Sequence, residues 1–140
     1  MAQFARPSAD TTRTAWTDQA GGTTNIWDTI NESVASDADY IKTATPPGAN
    51  EFETLLTTVT DPISSVNHVM RWRRRKQPAS GSNDQNLVVR LLVGGTQIVS
   101  RADNAIPGTF TDTSYTLSGG EADAITNYAD MRLEFVTTMV

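Results

Sequence analysis

The sequence predicts an all-β fold, an antiparallel β-sandwich or barrel with about eight strands and one or two short helical turns. Three observations lead there. Thr, Val and Ile recur along the chain, and β-branched side chains suit a pleated, half-buried surface better than a helix. Short alternating runs are separated by Gly-, Pro-, Asn- and Asp-rich turn signals, the pattern of a sandwich or barrel. No stretch sustains helical periodicity for more than a turn or two.

Residues 1–13 read as a polar N-terminal arm, because Pro7 opposes both helix and central strand, and residues 14–140 as one sandwich domain. "TAWT" (14–17) is a short strand anchored by Trp16, and "DQAGGTTN" (18–25) a loop. In "NIWDTINES" (25–33), Ile26, Trp27 and Ile30 share one face of a single helical turn, with Asn25 as its expected N-cap. "ADYIKTA" (38–44) is a strand, followed by the breaker "TPPGAN" (45–50). Strands are expected over 51–59 and 66–76, then a polar flexible loop over 77–86. "LVVRLLV" (87–93), two glycines and "TQIVSR" (96–101) read as a hairpin, since Gly reaches the positive φ of tight turns. "FTDTSYTL" (110–117) is a strand, and "SGGEADAITNYAD" (118–130) a helical turn capped by Ser118 or Gly119. The run from Met131 onward alternates Met131, Leu133 and Phe135 against Arg132 and Glu134, as a last strand should.

Composition narrows the function. The chain has 140 residues, no cysteine and a net charge of −5. A disulfide framework and Cys-ligated zinc are excluded, and one histidine cannot build a His-type metal centre. An acidic chain lacks the broad positive surface of a general nucleic-acid binder. No apolar run reaches the length of a membrane span, and the first residues carry no apolar signal segment, so neither membrane insertion nor secretion is expected. No phosphate-binding glycine loop or nucleophile elbow occurs. His68 reads as a structural residue on a strand. Glu51 and Glu53 alternate with Phe52 and are the best acid-base candidates for a hydrolase, but nothing predicts a cleft around them. Asp37, Asp39, Glu121, Asp123 and Asp130 miss the spacing of a Ca²⁺ loop and read as solvated carboxylates, leaving open only a Ca²⁺ shared by several loops. No enzyme activity, metal or cofactor is therefore expected.

The stretch "HVMRWRRRK" (68–76) stands apart. It holds five of the eleven Lys and Arg, so the rest of the chain, without those five charges, carries −10. On a strand it divides into two rows. Met70 and Trp72 turn to the core with Arg74 behind them, and Arg71, Arg73 and Arg75 form a ladder on the other face. Arg pairs carboxylates through its planar fork, so this ladder is a candidate protein interface toward acidic groups, in its own fold or in a neighbour. One Trp is too little for a base-stacking platform. Trp16, Trp27 and Trp72 are the candidate aromatic contacts should the protein bind a carbohydrate; otherwise they belong to the core or an interface.

The hairpin "VRLLVGGTQIVSR" (89–101) and the closing "LSGGEADAITNYADMRLEF" (117–135) carry a resemblance. Together with "TNIWDTINE", "DADYI", "LTTVTDP" and "HVMRWRRRK", they resemble small jelly-roll proteins of tailed bacteriophage particles, over most of the chain from Arg6 to Phe135. The resemblance implies a non-enzymatic structural virion protein, a capsid decoration or cement protein on the capsid exterior, made in the host cytoplasm. It implies the major capsid protein as partner and a homo-oligomer, a trimer by preference. It implies an antiparallel β-sandwich of jelly-roll type and carries over no catalytic residue. The alternative is a tail- or fibre-associated carbohydrate-binding sandwich.

Overall fold

The computed structural model describes residues 2–43, 48–77 and 85–139, with the side chain of Met139 left aside. The expected turn at 45–50 and loop at 77–86 therefore fall largely outside the described residues. Among the described residues there are nine strands, β1 (Pro7–Arg13), β2 (Trp16–Asp18), β3 (Ile41–Thr43), β4 (Asn50–Leu56), β5 (Val69–Arg74), β6 (Gln85–Val93), β7 (Thr96–Asp103), β8 (Thr111–Thr116) and β9 (Met131–Met139). A 3-10 turn spans Ile26–Ile30 and a short helix, α1, spans Gly119–Asp123. The fold is an all-β antiparallel sandwich. One layer is a five-stranded sheet ordered β1-β4-β9-β6-β7, and the ribbons β2–β3 and β5–β8 cover its inner face. The chain changes layer from β4 to β5 to β6 and again from β7 to β8 to β9, so these strands face each other across the core.

Alternation sets what each face holds. In β4, Phe52, Thr54 and Leu56 point inward and are buried, while Glu51, Glu53 and Leu55 face outward. Register carries this across the sheet: Phe52 pairs with Phe135 and Phe135 with Val89, whereas Glu53 pairs with Glu134 and Glu134 with Arg90. The larger core lies under β5–β8 and is built from Leu56, Met70, Leu87, Val89, Leu91, Val99, Ile106, Leu117, Ala122, Ile125 and Met131. A smaller core under β2–β3 and the 3-10 turn consists of Trp16, Ile26 and Phe52. Phe135 packs against both, stacked on Phe52 at 6.3 Å between ring centroids.

Within the stretch expected to be a polar arm, residues 1–13, Pro7–Arg13 form a strand. Pro7–Arg13 pairs antiparallel with β4, and the pairing continues through Thr57 N–H to Arg6 O (2.7 Å) and a two-way bond between the Gln3 amide and the Thr60 backbone. Pro7 is tolerated because β1 is an edge, and two register shifts interrupt its ladder, which also blunts an edge against further pairing.

The 3-10 turn is also capped differently from expectation. Asn25 sits in the left-handed region (φ 51°) and its side chain makes no capping bond. The carboxylate of Asp10, on neighbouring β1, takes both free N–H groups instead, those of Ile26 and Trp27, at 2.9 Å each. A carboxylate offers two oxygens, so one side chain serves two donors. At α1 the expectation holds. Ser118 Oγ accepts from Glu121 N–H, and Glu121 Oε2 accepts from Ser118 N–H (2.7 Å), a complete capping box. The β6–β7 hairpin turns at Gly94–Gly95, with Gly94 at φ 57°, as the double glycine predicts.

Candidate functional site

The β5–β8 ribbon carries most of the residues singled out from the sequence. Met70 pairs with Tyr115, Trp72 with Thr113 and Arg74 with Thr111 on the inner face; Val69 pairs with Thr116, Arg71 with Ser114 and Arg73 with Asp112 on the outer. The two rows of "HVMRWRRRK" therefore separate as alternation requires.

Of the outer row, Arg73 finds its carboxylates within its own chain. Arg73 forks onto Asp37, Nε to Oδ1 at 2.7 Å and Nη2 to Oδ2 at 2.9 Å, and its Nη1 donates to Asp112 at 3.1 Å. The bonds from Arg73 hold the Asp37 carboxyl below its ordinary range, and the two carboxylates in turn raise the guanidinium further. Arg75 lies over the rings of Phe110 (4.6 Å) and Tyr40 (5.5 Å), which themselves meet at 5.7 Å. Arg73 and Arg75 thus fasten the segment around Asp37 and Tyr40 to the ribbon. Arg71 is exposed and has no ion pair among the described residues.

Val69, on the same face of β5 as Arg71, is 40% exposed, and in the segment before the strand Ile63 is 94% and Val66 65% exposed. Ile63 follows Pro62 with its N–H donating to Asp61 Oδ1 (2.8 Å), a local turn that places the β-branched residue at φ 50°. A β-branched side chain in the left-handed region is strained, and here it is also held in water.

The other candidates separate by burial. Trp16 is buried against Phe52, Trp27 packs half-buried beside it, and Trp72 is half-buried on the main core. Trp72 also lines a cleft of ≈ 230 Å³ with Arg74, Arg101, Asp103, Thr113 and Tyr115. His68 Nε2 bonds Tyr128 Oη at 2.8 Å, a structural tie between the ribbon and the segment after α1.

Glu53 accepts from Thr11 Oγ1 (2.6 Å) and Arg132 Nη1 (3.1 Å), and Glu134 accepts from Arg90 (3.0 Å), all on the outer sheet face. Burial, then the neighbouring Glu134 and Glu53 charges, push the Glu51 carboxyl up. Of the loop carboxylates, Asp37 serves Arg73, Glu121 the helix cap and Asp130 Arg132 (3.0 Å). Among the described residues, no three His, Cys, Asp or Glu converge as a metal site would require. No helix among them is long and apolar enough to cross a membrane.

Sequence reasoning missed the cleft and the exposure of Ile63. A signal for the cleft exists: Val99 is an inward position of an edge strand, which places Arg101 and Asp103 inward too. Ile63 leaves no such trace, because "DPIS" reads as an ordinary turn. Compared with known proteins, the chain matches no family model, no curated protein and no solved structure.

Proposed function

We propose that this chain is a non-enzymatic structural protein of a phage particle, a decoration protein that docks on the major capsid shell and stabilises it. The observation that carries the reading is that Ile63, Val66 and Val69 are exposed in the segment leading to Arg71, which has no ion pair among the described residues. A strained, solvated Ile costs the isolated fold stability, and a partner surface that covers it recovers that cost. Burial of one such side chain is worth about 1.5–3 kcal/mol, and repetition over many copies multiplies the effect on a shell. Arg71 supplies a cation for an acidic rim. The sandwich offers a rigid base, and the resemblance of the hairpin and closing segments to phage particle proteins supports the same reading.

The test is occupancy of purified particles. Wild-type chain is expected at tens to hundreds of copies per particle. Ile63→Asn relieves the backbone, so the isolated protein should gain about 1 kcal/mol in urea unfolding, while its occupancy falls. Arg71→Ser should lower occupancy further, and raised salt should imitate that loss. A handful of copies per particle, or full occupancy by both variants, overturns the proposal.

A second reading, a tail- or fibre-associated carbohydrate-binding module, rests on Trp72 at its cleft. Trp16 no longer contributes to it, being only 6% exposed.

A further inference from the structure

Among the described residues, the non-glycine positions at positive φ are Ala15 (56°), Asn25 (51°), Ile63 (50°) and Asn67 (63°). Asparagine tolerates that region, and Ile63 belongs to a local turn beyond the end of β4. Ala15 stands in a different place. With Thr14 it forms the two-residue link from β1, in the large sheet, to β2, in the opposite layer. A non-glycine residue is held left-handed only where its surroundings over-determine it. Here they do so from both sides. Upstream, β1 is paired with β4 as far as Arg13, and Thr14 N–H donates to Glu51 O at 2.7 Å. Downstream, Trp16 is buried at once in the small core. The strain therefore arises from laying β1 on the β4 of its own chain.

What holds β1 in place is portable. No β1 residue belongs to the buried set of either core. The strand is attached by main-chain pairing with β4 and by polar ties. Ser8 Oγ donates to Leu55 O (3.1 Å), Thr11 Oγ1 to Glu53 O (3.0 Å) and Thr54 Oγ1 to Ala9 O (3.0 Å), and the Asp10 carboxylate caps the 3-10 turn. The β1 of a second copy can make each of these, because β4 and the turn present the same groups in every copy. The corner bond from Arg13 Nη1 to Trp16 O (2.9 Å) ties β1 to its own link and is what an exchange gives up.

We propose that β1 is an exchangeable strand: two copies of this chain swap Pro7–Arg13 reciprocally, each laying its β1 on the β4 of the other, with Thr14 and Ala15 drawn out into an extended link. The partner is a second copy, and the contact is isologous. Short links under strain favour such exchange. Relief of one left-handed alanine is worth about tenfold in an equilibrium constant, and reciprocal exchange relieves two. Against it stands the effective concentration of β1 beside its own β4, on the order of millimolar for a short link, so exchange belongs to high local concentration. The inference is independent of capsid docking and of carbohydrate binding.

The experiment refolds the full chain from urea at about 1 mM and reads its mass by size-exclusion chromatography with light scattering. Proline at position 15 removes no backbone hydrogen bond, since the Ala15 N–H makes none among the described residues. Ala15→Pro sets φ at about −65°, which forbids the bent link and suits the extended one, so it should run as a dimer. Ala15→Gly removes the strain and should weaken dimerisation at least about tenfold relative to wild type. A second measurement reads which copy supplies β1. The chain has no cysteine, and Ala9 and Leu55 are register partners, so Ala9→Cys and Leu55→Cys can be placed on different copies. Refolded together and oxidised, the two chains should give a mixed disulfide beyond its statistical share. A folded, monomeric Ala15→Pro overturns the proposal, and so does a mixed disulfide at or below the statistical share. Should Ala15→Pro fail to fold, the mixed disulfide alone decides.

Discussion

The two halves of the sandwich cover the same sheet by different means. Over β6 and β7, the β5–β8 ribbon completes a core of eleven buried residues, ten of them aliphatic or Met and one Ala. Over β1 and β4, the cover has strands of three residues and a five-residue turn, and among the described residues the buried apolar cluster beneath it is Trp16, Ile26 and Phe52. Polar ties supplement the small half: Asp10 to the 3-10 turn, Arg13 Nη1 to Trp16 O (2.9 Å), Lys42 Nζ to Gln19 O (2.9 Å) and Asn50 Nδ2 to Thr43 Oγ1 (2.6 Å). Elements too short to bury much area by themselves are held by aromatic bulk and directed bonds. Elements of six to nine residues bury a mainly aliphatic core, to which Arg74–Asp103 and His68–Tyr128 add ties.

The sharpest way to break this contrast is Phe52→Ala. Phe52 is fully buried, touches Trp16 and stacks on Phe135, so its removal should cost about 3–5 kcal/mol in urea unfolding. A loss under about 1 kcal/mol would mean that the small half adds little to global stability. Next is Asp10→Ala, which strands two N–H donors of the turn. It should cost about 2 kcal/mol and speed amide exchange at Ile26 and Trp27 more than anywhere in the larger half. Uniform acceleration would show that the turn is held by packing, as the larger half is.

The smallest effect belongs to the outer sheet face, which neither ribbon covers. The Glu51 carboxyl is raised in the folded protein by burial and by Glu134 and Glu53, so the native state holds its proton more tightly than the unfolded chain does. Its contribution favours folding in acid and is lost as pH rises past the ordinary Glu value of 4.5 through the higher folded value. Glu51→Gln should therefore match wild type in acid and gain about 0.2–1 kcal/mol at neutral pH, read from urea midpoints across pH. An equal difference at every pH would assign the effect to packing.

The same contrast explains what the sequence disclosed. All eight strands expected from alternation and turn signals are present, because their hydrophobic rows face a core and leave a period of two. The strand that escaped notice, β1, is a polar edge. Ser8 and Thr11 hydroxyls bond to β4 carbonyls, and such a strand needs no apolar row. Met70 and Trp72 against Arg71 and Arg73 could be separated by local alternation. Which carboxylate Arg73 takes could not, since Asp37 lies 36 residues away in the chain. The Asp10 cap was hidden for the same reason, its donors being 16 and 17 residues distant. Short-range chemistry such as the Ser118–Glu121 box is legible; long-range pairing waits for topology.

The position of β9 has a mechanical consequence. Its whole length is bonded to β6 on one side and most of it to β4 on the other. Tension along β9 would load both ladders in shear, so many hydrogen bonds must yield together. Tension that lifts β1 or β7 from an edge would part them one pair at a time. The molecule is thus stiff along one axis and comparatively easy to peel along another, and the direction in which a neighbour pulls decides how much force it withstands.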